Sequence, residues 1–280
     1  MLNPPGIGVV STIRYRGTNL EASFRKGVSN DAWSDAARPV DSLGYDKGSL
    51  ADAIRSFNAN PEIGLIVTAG GVAPAIVALG EATKPFLSIV GGTIAAFPGT
   101  ITGKFCGGVT LETFVHNAER FNHLSGMDGK PPHHNFMPSQ ISLLVNPDTA
   151  CVVDEIGLWP SPPRGRIFKA RNENELLQAF AEFREDNTLG AIIVTADPFF
   201  QDHKETIIPA ANASNKHVCY PMQVYANPGG VNKPALGRHT LHGPKLASAY
   251  YALGQKAAAV IRDDGMPSSL DPAETEVQEG

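Results

Sequence analysis

The sequence is short of most features that assign a function at sight. Its three cysteines, Cys106, Cys151 and Cys219, stand far apart in 280 residues, with no Cys-x-x-Cys. An odd, scattered count excludes a complete disulfide framework and argues against a cysteine zinc site, so buried free thiols are the expectation. No apolar run reaches the length that spans a bilayer. Lys and Arg form no cluster and the formal net charge is −5, which speaks against a nucleic-acid partner. Gly-x-Gly-x-x-Gly, a Walker-type Gly-Lys-Ser/Thr and Gly-x-Ser-x-Gly are all absent, so no nucleotide, other cofactor or nucleophile motif can be named. No paired carboxylates for acid–base work can be picked out either. Met1 to Pro5 runs directly into an apolar stretch with no basic or apolar leader region. As written, that start reads as a cytosolic protein, or as a mature form whose leader was removed.

What the chain does have is a stretch that occurs twice. Ile63-Gly64-Leu65-Ile66-Val67-Thr68-Ala69-Gly70 is one copy; Leu189-Gly190-Ala191-Ile192-Ile193-Val194-Thr195-Ala196-Asp197 is the other. Each stops abruptly at Thr-Ala. An amphipathic helical pattern precedes each, carried by Leu50, Ile54 and Phe57 and by Leu176, Phe180 and Phe183. Another helical pattern follows. A short apolar run flanked by helices reads as a central parallel strand buried on both faces. In open parallel sheets ligands sit beyond the carboxyl ends of the strands. The tails of the two copies, Thr68 to Val72 and Thr195 to Phe200, are therefore the first candidates for function.

The surrounding pattern is strand–helix alternation. It begins at Gly6 to Ile13, continues through an amphipathic helix carrying Leu20, Phe24 and Val28, and restarts with a strand at Gln140 to Val145. A closing helix is predicted over Pro244 to Arg262. Alternation of this kind implies parallel sheets with right-handed crossovers. The fold expected is α/β, with two Rossmann-like lobes. The first would comprise residues 1–124 and 238–265, the second 139–237. Residues 125–138, rich in Gly, Pro and His, read as a linker, and residues 266–280 as an acidic C-terminal arm. Two lobes facing each other would gather the strand tails of both in a cleft.

A resemblance emerges from the second half. Thr195-Ala196-Asp197-Pro198-Phe199-Phe200 is followed by Tyr220-Pro221, Tyr225, Gly229-Gly230 and His242-Gly243-Pro244-Lys245-Leu246. This order resembles the ABC transporter substrate-binding proteins with the type I periplasmic-binding-protein fold, in the group that includes aromatic amino-acid binders. Asn146-Pro147 is similar to the start of that family's second lobe. The resemblance covers roughly Gly6 to Ser269 and is more specific in the second half. Two first-half motifs depart from it: Gly70-Gly71-Val72 stands where the family often has Gly-Thr-Pro, and Gly92-Thr93 where Asp-Pro is common. The resemblance implies a non-enzymatic receptor that closes two lobes on a small organic ligand, with an ABC permease as partner and a periplasmic location. An isomerase or lyase with its site in the cleft, and a cytosolic ligand-sensing module, are the alternatives.

Particular residues follow. Asp197 can pair with a ligand ammonium, or it can cap the helix that opens at Pro198. Gly70 and Gly71 can present bare amides to an anion at a helix start, or simply make a tight turn. Ser11, Thr93, Asp148 and Thr149 occupy other strand tails, with capping as the competing role for the last two. Phe199 and Tyr225 can stack on an apolar or aromatic ligand, or pack in the core. Taken together, an anion-taking end at Gly70-Gly71 and a cation-taking end at Asp197 suit an amino-acid-like ligand. The histidines suggest no metal set: His133-His134 is adjacent in the linker, and His239 and His242 look like strand alternation.

Overall fold

The computed structural model describes residues 6–13, 17–29, 41–43, 50–91, 104–111, 115–129, 134–149, 156–157, 159, 165–222, 225, 234, 237–262, 270–273 and 275–279. The chain forms two compact units. Unit 1 takes Met1–Glu112 and Leu246–Glu274; unit 2 takes Thr113–Lys245 and Thr275–Gly280. The backbone therefore passes between them at three places, after residues 112, 245 and 274.

In chain order unit 1 begins with β1 (Gly6–Ser11), α1 (Asn19–Ser29), β2 (Asp41–Leu43), α2 (Leu50–Ala59), β3 (Ile63–Ala69), α3 (Val72–Glu81), β4 (Phe86–Val90) and β5 (Phe105–Thr110). Unit 2 follows with α4 (Val115–Leu124), β6 (Ile141–Val145), β7 (Ile167–Lys169), α5 (Glu173–Glu185), β8 (Ala191–Val194), α6 (Pro198–Asp202), α7 (Lys204–Ser214), β9 (His217–Tyr220) and β10 (His239–Pro244). The chain then returns to unit 1 as α8 (Leu246–Arg262) and β11 (Leu270–Pro272), and ends in unit 2 as β12 (Thr275–Glu279). Among the described residues no helix is long and apolar enough to cross a membrane.

Each unit holds a six-stranded sheet. The orders are β11-β5-β4-β3-β1-β2 and β12-β10-β9-β8-β6-β7. All pairings are parallel except β10 with β12. The repeated stretches become β3 and β8, and each pairs with the first strand of its own unit. Sheet 1 is covered on both faces. Val9, Leu65, Val67, Leu87 and Ile89 pack against Phe24 and Val28 of α1 and Tyr250, Leu253 and Ala257 of α8. Val10, Ile66 and Phe86 face Ile54 and Phe57 of α2 and Ala78 of α3. Strands clothed on both sides have no polar face, which is why these runs are continuously apolar rather than alternating.

The structure draws the boundaries differently from the sequence. Helix α4 and strand β10, placed in the first lobe by position, lie in unit 2. The reason is packing: Phe121 and Leu124 of α4 bury against Ile141, Leu143 and Ile193, and β10 pairs with β9 through Leu241↔Tyr220. The described part of the expected linker also lies in unit 2, where Phe136 packs on the same cluster and its N–H donates to Leu124 O at 3.2 Å. The C-terminal segment read as an arm supplies two edge strands, β11 to sheet 1 and β12 to sheet 2. Edge strands need only backbone pairing and tolerate proline, so a polar, proline-containing sequence can form them without an apolar pattern.

Helices α1 and α8 approach closely because each places a glycine at the contact. A Cβ on Gly254 would lie 2.2 Å from Phe24 O, and one on Gly27 2.1 Å from Tyr251 O. Both obstacles are backbone, so neither can swing aside. We expect Gly254→Ala to destabilise unit 1 by about 1–3 kcal/mol, the usual cost of overpacking. Hydrogen exchange would show protection falling in α1 and α8 but not in β6 and β8; equal loss in both units would contradict this packing account.

Candidate functional site

Strand order locates the topological switch point of each sheet. From β6 the chain goes first to β7 on one side and then to β8 on the other; from β1 it goes to β2 and then to β3. The crevice at the carboxyl ends of β6 and β8, and the one at β1 and β3, are the places where such sheets take ligands.

In unit 2 that crevice is built around Asp197. Extended backbone at Asp197 ends the strand segment and makes it the N-cap of α6, with Pro198 in the first turn. Its carboxylate is buried, 5% exposed. Oδ1 accepts from Phe199 N at 2.8 Å and from Asn146 Nδ2 at 3.1 Å; Oδ2 accepts a short hydrogen bond from Thr149 Oγ1. Asn146 and Thr149 follow β6 directly, so residues about fifty positions apart converge because their strands are neighbours. The capping role is thus real, yet it leaves acceptor capacity: two carboxylate oxygens offer about four lone-pair sites and three are used.

Two buried hydroxyls nearby on the chain lack partners. Thr195 is fully buried, and its Oγ1 has no hydrogen-bond partner among the described residues. Tyr225 is also fully buried, stacked on Tyr220 with ring centroids 4.9 Å apart, and its Oη is unpartnered among the described residues. Burial raises the Tyr225 phenol pKa well above its ordinary value, and the neighbouring Tyr220 and Asp197 add to that rise, so it is held as a neutral donor. Phe199 is half-buried, against His203 at 4.3 Å and Phe200 at 5.4 Å. Asp148 does not join the group: it is exposed and lies 3.4 Å from Arg171.

In unit 1 the crevice is mostly backbone. Ser11 is buried and turned on its own loop, donating to Ile13 O at 2.9 Å. Thr12 Oγ1 donates to Gly70 O, and a Cβ on Gly70 would collide with that hydroxyl at 2.3 Å. Gly70 also has φ +86°, a conformation that glycine adopts without steric cost. Gly71 is the N-cap of α3 and, as glycine, makes no side-chain capping hydrogen bond to the first amides of the helix. Thr93 lies outside the described residues.

Sequence reasoning passed over Asn146 as a site residue, although it directly follows β6 at the same end of the sheet as Asp197, which stands three residues after β8. It also treated the histidines by sequence spacing, and the structure groups them otherwise. Rings of His116, His242, His123, His134 and His217 form a row in unit 2, with successive centroids 6.3, 6.2, 5.9 and 4.2 Å apart. Burial pushes the His242 pKa down to about 4, helped by the Arg120 guanidinium and opposed by Glu119.

No family model matches the chain and no curated protein matches it. Solved structures do. The ABC domain in complex with L-Trp from Streptococcus pneumonia superposes with TM-score 0.70 at 15% identity, over 97% of this chain and 91% of that one. A carbohydrate transporter solute binding protein from Agrobacterium Radiobacter, in complex with D-arabinose, gives 0.63 at 12%, over 100% and 95%. A LacI family transcriptional regulator from Enterococcus faecium with bound ribose gives 0.62 at 10%, over 98% and 97%. The chain has the type I periplasmic-binding-protein fold. Those neighbours carry an amino acid in one case and sugars in two, so the shared fold leaves the ligand class open.

The orphaned Tyr225 hydroxyl makes a clean test of unit 2. A buried unsatisfied group costs roughly 1–3 kcal/mol. Tyr225→Phe is expected to raise the stability of the ligand-free protein by about 1 kcal/mol in urea denaturation. A loss of stability would show that the hydroxyl is satisfied in solution.

Proposed function

We propose that this chain is a solute-binding protein that takes a small amino-acid-like ligand and serves ABC-type uptake. The observation that carries the reading is the buried Asp197 carboxylate at the switch point of unit 2, oriented by Asn146, Thr149 and Phe199 N, with an acceptor site to spare. A carboxylate oriented in this way suits a ligand ammonium, because its desolvation and positioning have already been met by folding. Thr195 Oγ1 and Tyr225 Oη, without partners among the described residues, supply buried hydroxyls that a polar ligand would engage. Unit 1 has its own strand-tail turn, Gly70 and Gly71 at the start of α3, where backbone amides suit an anion. That the fold is shared with an ABC domain carrying L-Trp and a carbohydrate transporter solute binding protein carrying D-arabinose supports the non-enzymatic reading, a permease partner and work outside the cytoplasm.

A thermal-shift and calorimetric screen of amino acids, with pentoses and hexoses as the competing set, tests this. At least one amino acid should stabilise the protein, by about 2.7 kcal/mol at a hundredfold excess over Kd. Asp197→Asn keeps the acceptor for Phe199 N and removes the charge. It should weaken binding of that amino acid by about 10- to 100-fold, the worth of a hydrogen bond to a charged group. Binding of sugars alone, or unchanged affinity in the variant, would overturn the assignment.

A further inference from the structure

Helix α4 carries more buried polar side chains than an amphipathic helix needs. His116, Asn117, Arg120 and His123 are all buried. His116 and Glu119 stand at i and i+3, one above the other on the same face. His242 of β10 joins them: Glu119 Oε2 lies 2.7 Å from His116 Nδ1 and 3.2 Å from His242 Nε2. The three candidate ligand atoms all fall within 4.8 Å of one another.

We propose that His116, Glu119 and His242 form a binding site in unit 2 for a divalent transition-metal ion of the zinc class. Zinc binds imidazole nitrogen and carboxylate oxygen at about 2.0–2.2 Å. Donors are then roughly 3.3–3.6 Å apart on a tetrahedral ion and roughly 2.8–3.1 Å apart at adjacent octahedral positions, so the contacts of 2.7 and 3.2 Å to Glu119 need only small side-chain adjustments. Two imidazoles and one carboxylate select zinc, cobalt, nickel or copper over calcium and magnesium, which want an all-oxygen shell. Three protein ligands leave at least one position open for water or a further group.

The frame that holds the three residues is rigid. The Arg120 guanidinium ties α4 to the backbone of β10, donating from Nε to His242 O at 2.6 Å and from Nη1 to Asn117 Oδ1 at 2.6 Å. Backbone and helix are thereby fixed before a metal arrives, the condition for a usable site. The two histidines are 4% and 8% exposed, whereas the Glu119 side chain is 46% exposed, so the cluster has a wet side by which an ion can enter. His242 Nδ1 is buried with no partner among the described residues. Without a metal the contact with Glu119 favours the Nε2–H tautomer, and a metal on Nε2 moves that proton to Nδ1. On metal binding each neutral imidazole carries its proton on the ring nitrogen away from the ion, and Glu119 exchanges two accepted hydrogen bonds for one bond to the metal. The positive charge of Arg120 opposes a cation here and the Glu119 carboxylate offsets it. The site lies where α4 begins three residues into unit 2 and β10 ends one residue before the chain leaves it.

The untagged full-length chain, stripped with a chelator, should bind one Zn2+ at pH 7 in competition with a chromophoric chelator. Magnesium and calcium should not compete. Co2+ in place of zinc should give visible d–d bands of low coordination number. Glu119→Gln retains shape and half-exposed surroundings, so it should fold, and it should weaken zinc binding by more than the roughly 10- to 100-fold that losing a mere outer partner costs. His116→Gln should do the same, and zinc should raise the melting temperature of the wild type but of neither variant. Absence of one-to-one binding in the wild type, or equal affinity in Glu119→Gln, would overturn the proposal and leave the three side chains as a hydrogen-bonded network.

Discussion

Burial of a parallel sheet on both faces is the constraint from which the rest of this structure follows. A strand with helices above and below has no solvent side, so β1, β3, β4, β6 and β8 must be apolar almost throughout. Fully burying one Val, Leu or Ile is worth roughly 1.5–3 kcal/mol, while a buried polar group without a partner costs about as much. Inside sheet 1, Thr68 and Ser88 of neighbouring strands pair with each other at 2.7 Å, while the buried Ser142 hydroxyl of β6 has no partner among the described residues. Chemistry is pushed to the strand tails, where the backbone turns out of the sheet and carbonyls and amides become available.

Asp197 shows how a structural role and the proposed binding role can combine in one residue. A helix cap and a ligand contact are often weighed as rivals, but the capping bond from Phe199 N and the bonds from Asn146 and Thr149 are what hold the carboxylate in one orientation. The hydrogen bonds that explain the residue structurally also provide the fixed orientation that the proposed binding role needs. The corresponding tail of unit 1 carries glycine, Gly70 and Gly71, instead of a charged side chain.

Much of the architecture was legible along the chain. Apolar runs marked the central strands, and four-residue spacing marked the helices that cover them; Leu20, Phe24 and Val28, for example, all lie on α1 and pack on sheet 1. Local signals of this kind read well because strand and helix periods are properties of neighbouring residues. The boundaries read less well. Helix α4 looks like the close of the first half, but its apolar face fits the β6–β8 side of sheet 2. The acidic tail looks unstructured, but β11 and β12 need only open sheet edges to pair with.

The sequence by itself determined the α/β class, the duplicated strand, and the strand-tail residues Asp197, Gly70 and Gly71, because each is a matter of local pattern. Tertiary structure alone decided which tails adjoin which. Strand order brings Asn146 and Thr149 to Asp197 across some fifty residues, and sets His242 beside His116 and Glu119 across more than a hundred. Spacing along the chain carries no record of those meetings. They arise from which sheet edge and which helix face are left free once the apolar surface is buried, and that is a property of the whole fold.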